Sequence, residues 1–237
     1  MSFFESLDGK IQAIWSALGR TGNRYVLVGG TAIAWQIGHR VSYDIDLVTS
    51  DAVEHPRILR KRWNHAEIGK HKIIRRKPDH YVKFFATTTT PKIDVHGKLT
   101  GRGCIALPSV ADNGLRIASL TDLLAQKMIA MCHRREQRDG IDVAAIIQDG
   151  RADIDLALDA LCDEYYGVGE DEVENLLTTL ADIDISPWRN IAGLDGLLSA
   201  LQLHTPRLLK RVSYDIQGPV RLLPPNTTSD DGGHCGR

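Results

Sequence analysis

Two glycines followed by two aspartates constrain this 237-residue chain more than any other feature. Gly29 and Gly30 close the apolar run Tyr25-Val26-Leu27-Val28 and open the short apolar stretch Thr31 to Ile37. Farther on stands Ser42-Tyr43-Asp44-Ile45-Asp46-Leu47. On a strand, residues i and i+2 share a face about 7 Å apart. Asp44 and Asp46 are therefore predicted to project together, with Ile45 and Leu47 buried on the opposite side. Neighbouring carboxylates repel, and a hard cation such as Mg2+ that neutralises them commonly brings a substrate phosphate with it. The glycine pair supplies a complement, because backbone without Cβ approaches phosphate closely and a helix start attracts anions.

This arrangement resembles the signature of the DNA polymerase β-like nucleotidyltransferase superfamily: a hydrophobic residue, Gly-Gly or Gly-Ser, a short gap, then Asp-x-Asp. A third carboxylate follows on a later strand within a hydrophobic-acid-hydrophobic triplet, and Ile93-Asp94-Val95 is the downstream match.

A second block narrows the resemblance. Ile117-Ala118-Ser119-Leu120-Thr121-Asp122-Leu123-Leu124-Ala125-Gln126-Lys127-Met128-Ile129-Ala130 is followed by Arg134-Arg135-Glu136-Gln137-Arg138-Asp139-Gly140-Ile141-Asp142. It is similar to the Lys-x-x-Ala … Arg … Arg-Asp-x-x-Asp block of the AbiEii/AbiGii toxin family of nucleotidyltransferases, with Gly140 as a departure. Gly29 to Ile146 resembles most of that family's catalytic unit. The resemblance implies transfer of a nucleotidyl group from an NTP to a hydroxyl acceptor, with release of pyrophosphate. It implies Mg2+ or Mn2+ on Asp44, Asp46 and Asp94, a triphosphate cradled by Gly29, Gly30, Thr31 and Ser42, and Lys127 facing the phosphates. It also implies one functional acid in the Arg-Asp block. Asp139 is favoured over Asp142, which can instead cap the following helix, and Arg134 and Arg138 are additional candidates. Relatives act as toxins of toxin–antitoxin or phage-defence pairs, so a cognate antitoxin and a tRNA acceptor are expected. A small-molecule acceptor, as in antibiotic nucleotidyltransferases, is the alternative, and a non-catalytic nucleotide- or partner-binding relative is a third.

The same block reads sensibly from its residues alone. Ser119 with Asp122 three positions on marks a helix start. Leu120, Leu123, Leu124, Met128 and Met131 form an apolar stripe at helical spacing. Lys127, Arg134 and Arg138 fall at i, i+7 and i+11, which predicts one polar face of a continuous helix.

The apolar fraction of 43% is that of a globular protein. Cys104, Cys132, Cys162 and Cys235 are far apart, so neither a zinc site nor a disulfide framework is indicated. The N-terminus lacks the basic start of a signal peptide, and no apolar run is long enough to span a membrane. A cytoplasmic location is expected. The net charge of −1 hides an asymmetry: Arg57 to Lys77 holds nine Lys or Arg and one acid, whereas Asp149 to Asp195 holds thirteen acids and two arginines. The basic block, with Arg57, Arg60, Arg75, Arg76 and Lys77, is a candidate RNA surface.

Along the chain, Phe3, Phe4, Leu7, Ile11, Ile14, Trp15 and Leu18 predict an amphipathic N-terminal helix. A short helix is predicted from Pro56 to Trp63, and a hairpin from Lys72 to Arg76 and Tyr81 to Thr87. The strand carrying Asp94 runs from Lys92 to His96, and His96 shares its face, reading as a polar edge residue within reach of a substrate or metal. Trp35 reads as core. The interleaving predicts an α/β (α+β) fold: a minimal polymerase-β-type mixed sheet with flanking helices in residues 1–148. Helices at Ile154 to Tyr166, Asp171 to Ala181 and Asn190 to Leu203 predict a helical C-terminal region over 149–217. Residues 218–237 read as a disordered tail.

Overall fold

The computed structural model describes residues 7–20, 22–62, 73–77, 81–84, 91–97, 105–134, 136–164 and 170–181. Its elements follow the α/β pattern. They are α1 (Gly9–Gly19), β1 (Val26–Val28), α2 (Gly29–Ile37), β2 (Asp44–Val48), α3 (Pro56–Arg62), β3 (Ile73–Lys77), β4 (Tyr81–Phe84) and β5 (Lys92–His96). After these come β6 (Ser109–Val110), β7 (Arg116–Ile117), α4 (Leu120–His133), α5 (Gln137–Asp149), α6 (Ile154–Glu164) and α7 (Glu170–Ala181).

The strands form one mixed sheet in the order β3-β4-β5-β2-β1-β7-β6. Near its centre, β2 pairs antiparallel with β1 and parallel with β5. The β3–β4 hairpin forms one edge, paired to β5 through β4. Strands β1, β2 and β5 bury Val26, Leu27, Val28, Ile45, Leu47, Ile93 and Val95, so the branched residues that favour a pleated sheet also fill its core. The two-residue strands β6 and β7 carry no periodic pattern, and sequence reasoning missed them.

Helix α2 connects β1 to β2 and packs on both. Helix α4 packs in turn against α2, α5, α6 and α7. Its predicted stripe is inside: Leu123, Leu124, Met128 and Met131 are each fully buried. Ser119 caps it by accepting the Asp122 N–H at 3.0 Å, a contact that typically contributes about 1 kcal/mol. The Asp122 carboxylate accepts the Ile105 N–H at 2.7 Å, which ties the incoming loop to the helix start.

The N-terminal helix begins later than predicted. Asp8 is its cap, accepting the Lys10 N–H at 2.9 Å, and Leu7 lies outside it in a bridge to Ser42. Phe3 and Phe4 lie outside the described residues. Trp35 is partly buried and stacks on Trp15 with ring centroids 6.2 Å apart, joining α2 to α1. Helices α6 and α7 match their predicted positions within two residues. The predicted helix from Asn190 and the tail from 218 lie outside the described residues. No helix among the described residues is long and apolar enough to cross a membrane.

The predicted continuous helix through Lys127, Arg134 and Arg138 is two helices. Arg134 ends α4 with extended backbone, φ −149° and ψ 141°. In an unbroken helix, Asp139 would stand about 18 Å along the axis from Lys127. The break folds α5 back on α4, and Lys127 Nζ reaches Asp139 Oδ1 at 2.7 Å.

Candidate active site

The alternation of β2 produces the predicted face. Ile45 and Leu47 are fully buried beneath the sheet, while Asp44 and Asp46 stand on the other side. The parallel register of β5 sets Asp44 beside Lys92, Asp46 beside Asp94 and Val48 beside His96. Each rung has a different electrostatic character. Lys92 Nζ donates to Asp44 Oδ2 at 2.8 Å and lies 3.6 Å from Asp94 Oδ2. The next rung puts two carboxylates side by side. Burial, followed by the Asp94 charge, pushes the Asp46 carboxyl up to about 6, and Lys92 only partly opposes this. Ligand atoms of Asp46, Asp94 and His96 lie within 4.8 Å of one another. This donor set fits a divalent cation: two oxygens that repel each other, one nitrogen, and a carboxylate that holds its charge at a cost.

Helix α2 starts against this face. Gly29 has φ +71°, and a Cβ there would lie 2.5 Å from Asp46 Oδ2. A Cβ on Gly30 would lie 2.6 Å from an Arg40 guanidinium nitrogen. The positive φ of Gly29 and the closeness of Asp46 call for glycine there, whereas at Gly30 the tip of the Arg40 side chain would have to move aside. Val28 contributes no side-chain cap, and α2 has no acid in its first turn. The N–H groups of Gly29, Gly30 and Thr31 are thus without partners inside the helix. Thr31 and Ser42 sit differently from the predicted cradle. Both are buried; their hydroxyls bond each other at 2.8 Å, and the Thr31 hydroxyl also donates to the Asp44 carbonyl. They clip α2 to the start of β2, so Thr31 can offer a ligand its backbone N–H but not its side chain. Gly29→Ala is expected to impose a left-handed conformation costing about 1–2 kcal/mol on a residue with a Cβ, and to displace Asp46. The measurement is metal binding alongside the urea midpoint, and the binding loss should exceed what the stability loss explains.

The third component is a buried charge cluster. Asp142 is fully buried inside α5 and caps no helix. Its Oδ1 accepts from His39 Nε2 and Arg40 Nε, both at 2.7 Å. Its Oδ2 accepts from Arg40 Nη2 at 2.8 Å and lies 2.8 Å from Lys127 Nζ. Burial alone would raise this carboxyl, but the hydrogen bonds from His39 and Arg40 and the charge of Lys127 hold it far below the ordinary carboxylate range. Asp139, also buried, joins Lys127 to Arg134 Nε at 2.9 Å. Lys127 is itself buried, not on a solvated stripe, and its charge acts on Asp46. Arg134 is half-exposed and also within electrostatic range of Asp46.

The structure thus brings Asp44, Asp46, Asp94, Gly29, Gly30, Lys127, Asp139, Asp142 and Arg134 into one region. Arg138 departs from it, exposed and bonded to Glu136 at 3.1 Å. Arg57 is exposed on α3. Arg75, Arg76 and Lys77 lie along the edge strand β3. The side chains of these three and of Arg60 lie outside the described residues. Sequence reasoning missed Lys92, His39 and Arg40. Lys92 was within reach, because Lys92, Asp94 and His96 alternate as Asp44 and Asp46 do.

The model of the nucleotidyl transferase AbiEii toxin family, described as a type IV toxin–antitoxin system, matches residues 14–186. The chain belongs to the AbiEii family. It is a member of a nucleotidyltransferase toxin family, and the match includes every site residue named above. The AbiEii match runs past residue 148 into α6 and α7, which pack on α4. Among solved structures, a candidate nucleotidyltransferase from H. pylori is 16% identical, with a TM-score of 0.48, over 86% of this chain and 95% of that one. JHP933 from Helicobacter pylori is likewise 16% identical, with a TM-score of 0.48, over 85% and 91%. No curated protein matches the chain.

Proposed function

We propose that this AbiEii-family protein transfers a nucleotidyl group from an NTP to a hydroxyl of an RNA acceptor, releasing pyrophosphate, in a reaction that needs Mg2+ or Mn2+. The observation that carries this reading is the β2–β5 register, which stands Asp44, Asp46 and Asp94 on one face against the first turn of α2. When bound there, a divalent cation supplies charge neutralisation and Lewis acidity at phosphate oxygens. Asp46 and Asp94 hold it, and Asp94 takes up the proton of the attacking hydroxyl. The N–H groups of Gly29, Gly30 and Thr31 donate to phosphate oxygens at the helix start. Lys127 has three donors. Asp139 and Asp142 engage two and aim the ammonium, leaving the third for the leaving phosphates. Arg134 adds positive charge at the open side. As a toxin, the protein has a cognate antitoxin and works in the cytoplasm, where NTP and tRNA are both present.

The basic block supports a polyanionic acceptor, since β3 is an edge strand and its Arg75-Arg76-Lys77 run lies along the sheet border. The test is incorporation of labelled NTP into total tRNA at two salt concentrations. Each phosphate contact releases counterions, so apparent affinity for tRNA should fall steeply with salt. Replacing Arg75, Arg76 and Lys77 together with Ala should flatten that slope and raise the KM for tRNA, with the KM for NTP almost unmoved. Equal salt slopes for both proteins would remove the block from the reading. Label in no RNA with any of the four NTPs would transfer the reaction to a small-molecule acceptor.

A further inference from the structure

We propose that the resting site binds a single divalent cation on Asp46, Asp94 and His96, that Lys92 serves as the built-in cation of Asp44, and that the imidazole tunes the site to Mn2+ over Mg2+. This deepens the nucleotidyl-transfer reading and rests on its metal dependence.

The three rungs of the β2–β5 ladder carry the argument. The Asp44–Lys92 rung is closed by a charge-assisted hydrogen bond of 2.8 Å, so Asp44 already has a cation. The Asp46–Asp94 rung sets two carboxylates side by side, with Lys92 forming an ion pair with Asp94 at 3.6 Å and Lys83 of β4 standing opposite Asp94. The third rung pairs His96 with Val48, which has no polar side-chain atom. His96 also stands opposite Tyr81 on β4, and a ring nitrogen of His96 lies within 4.8 Å of carboxylate oxygens of Asp46 and Asp94. Asp46, Asp94 and His96 are the set whose ligand atoms approach within 4.8 Å, and Asp44 does not belong to it. Two ligands about 2.1 Å from a shared ion stand at most about 4.2 Å apart, so closure takes a shift of under about 1 Å.

The strand end that presents His96 is pinned. The His96 carbonyl accepts the Thr49 N–H at 2.9 Å. A Cβ on Gly97 would meet Val53 at 2.5 Å and the Asp51 carbonyl at 2.8 Å, so the 51–53 loop closes tightly over the next residue. The backbone that carries His96 is thereby held beside the carboxylate rung. Chemistry then decides the ion. Carboxylate and water suit Mg2+ and Mn2+ alike, whereas imidazole is a ligand for first-row transition ions, among which Mn2+ binds most weakly, rather than for Mg2+. Mg2+ also demands near-ideal octahedral geometry and gives up its waters reluctantly. Two oxygens and one nitrogen on a rigid strand pair thus favour Mn2+.

The test is Mn2+ titration of the full-length protein without nucleotide, followed by electron paramagnetic resonance, with Mg2+ as competitor. Wild type should bind one Mn2+ and show histidine nitrogen coupling in the spin-echo modulation. His96→Ala should abolish that coupling and weaken Mn2+ binding at least about tenfold, the lower end of the cost of losing a group that supports a metal, with a smaller effect on Mg2+. His96→Gln, which keeps a polar donor, should also lose the coupling, and thermal melting without metal checks that both variants fold. Lys92→Met should free Asp44 and raise the stoichiometry to two. Unchanged Mn2+ affinity in His96→Ala, or two ions in wild type, overturns the proposal. Incorporation of labelled NTP is measured in parallel: activity persisting in those cases leaves nucleotidyl transfer standing, while tight Mn2+ binding with no transfer to any acceptor removes that reading alone.

Discussion

Asp46→Ala is expected to lower nucleotidyl transfer by more than about 100-fold while leaving a folded protein, because losing even a supporting group around a metal costs about 10–100-fold. Asp46 is central in three respects. It shares a rung with Asp94, it touches the first turn of α2 at Gly29, and the charges of Lys92 and Lys127 both act on it. A structural aspartate would be missed differently. Asp46 is destabilising in the metal-free protein, since burial and Asp94 raise its carboxyl to about 6 from an ordinary 3.8. A raised carboxyl opposes folding above its unfolded value. The penalty is absent below about pH 4, grows between about 4 and 6, and is complete above 6. Asp46→Asn should therefore raise the metal-free unfolding free energy by about 3 kcal/mol at pH 7, and by almost nothing at pH 4. Paired urea titrations at the two pH values read this directly. A variant less stable than wild type at pH 7, with transfer retained, would remove Asp46 from the metal site.

The part of this site that could be read from the sequence is the part with a local period. Ile45 and Leu47 alternate with Asp44 and Asp46, and the contrast between apolar and acidic residues fixes the strand and its faces without further context. Ser119 and Asp122 mark a helix start because the cap lies within three residues. The rest depends on contacts that no local pattern encodes. Between His133 and Gln137 there is neither Gly nor Pro, so nothing announced the reversal that brings Asp139 to Lys127. Arg40 and Asp142 are 102 positions apart. Gly38, left-handed at φ 65°, ends α2 and releases His39 and Arg40 towards α5. A glycine followed by two basic residues reads only as a helix end. Thr31 and Ser42 misled for a related reason: hydroxyls beside a glycine turn suit a phosphate, but these two lie close enough to satisfy each other.

The largest loss of stability is expected from Asp142. Its two oxygens serve His39, Arg40 and Lys127 at 2.7 to 2.8 Å, and its side chain has no exposure. Buried ion pairs often contribute little relative to an apolar pair, but removing one partner strands the other charges. Asp142→Ala leaves the buried His39 and Lys127 and the largely buried Arg40 without their shared acceptor, so unfolding free energy should fall by about 3–5 kcal/mol. Asp139→Ala should cost less, because its partner Arg134 is half-exposed and recovers water while its other partner Lys127 keeps Asp142. The pH dependence has the opposite sign to that of Asp46. Asp142 is held well below its ordinary value, so its contribution is present above about pH 4 and is lost as pH falls below it. Urea titrations from pH 7 to 3 should show wild type and Asp142→Asn converging on the acid side. Function follows from the same geometry. Asp142 fixes Lys127 within electrostatic range of Asp46 and holds the Arg40 guanidinium beside Gly30, so Asp142→Asn should raise the KM for NTP more than it alters metal binding. Equal stability of Asp142→Ala and Asp139→Ala would show that the cluster distributes its charge more evenly than its hydrogen bonds imply.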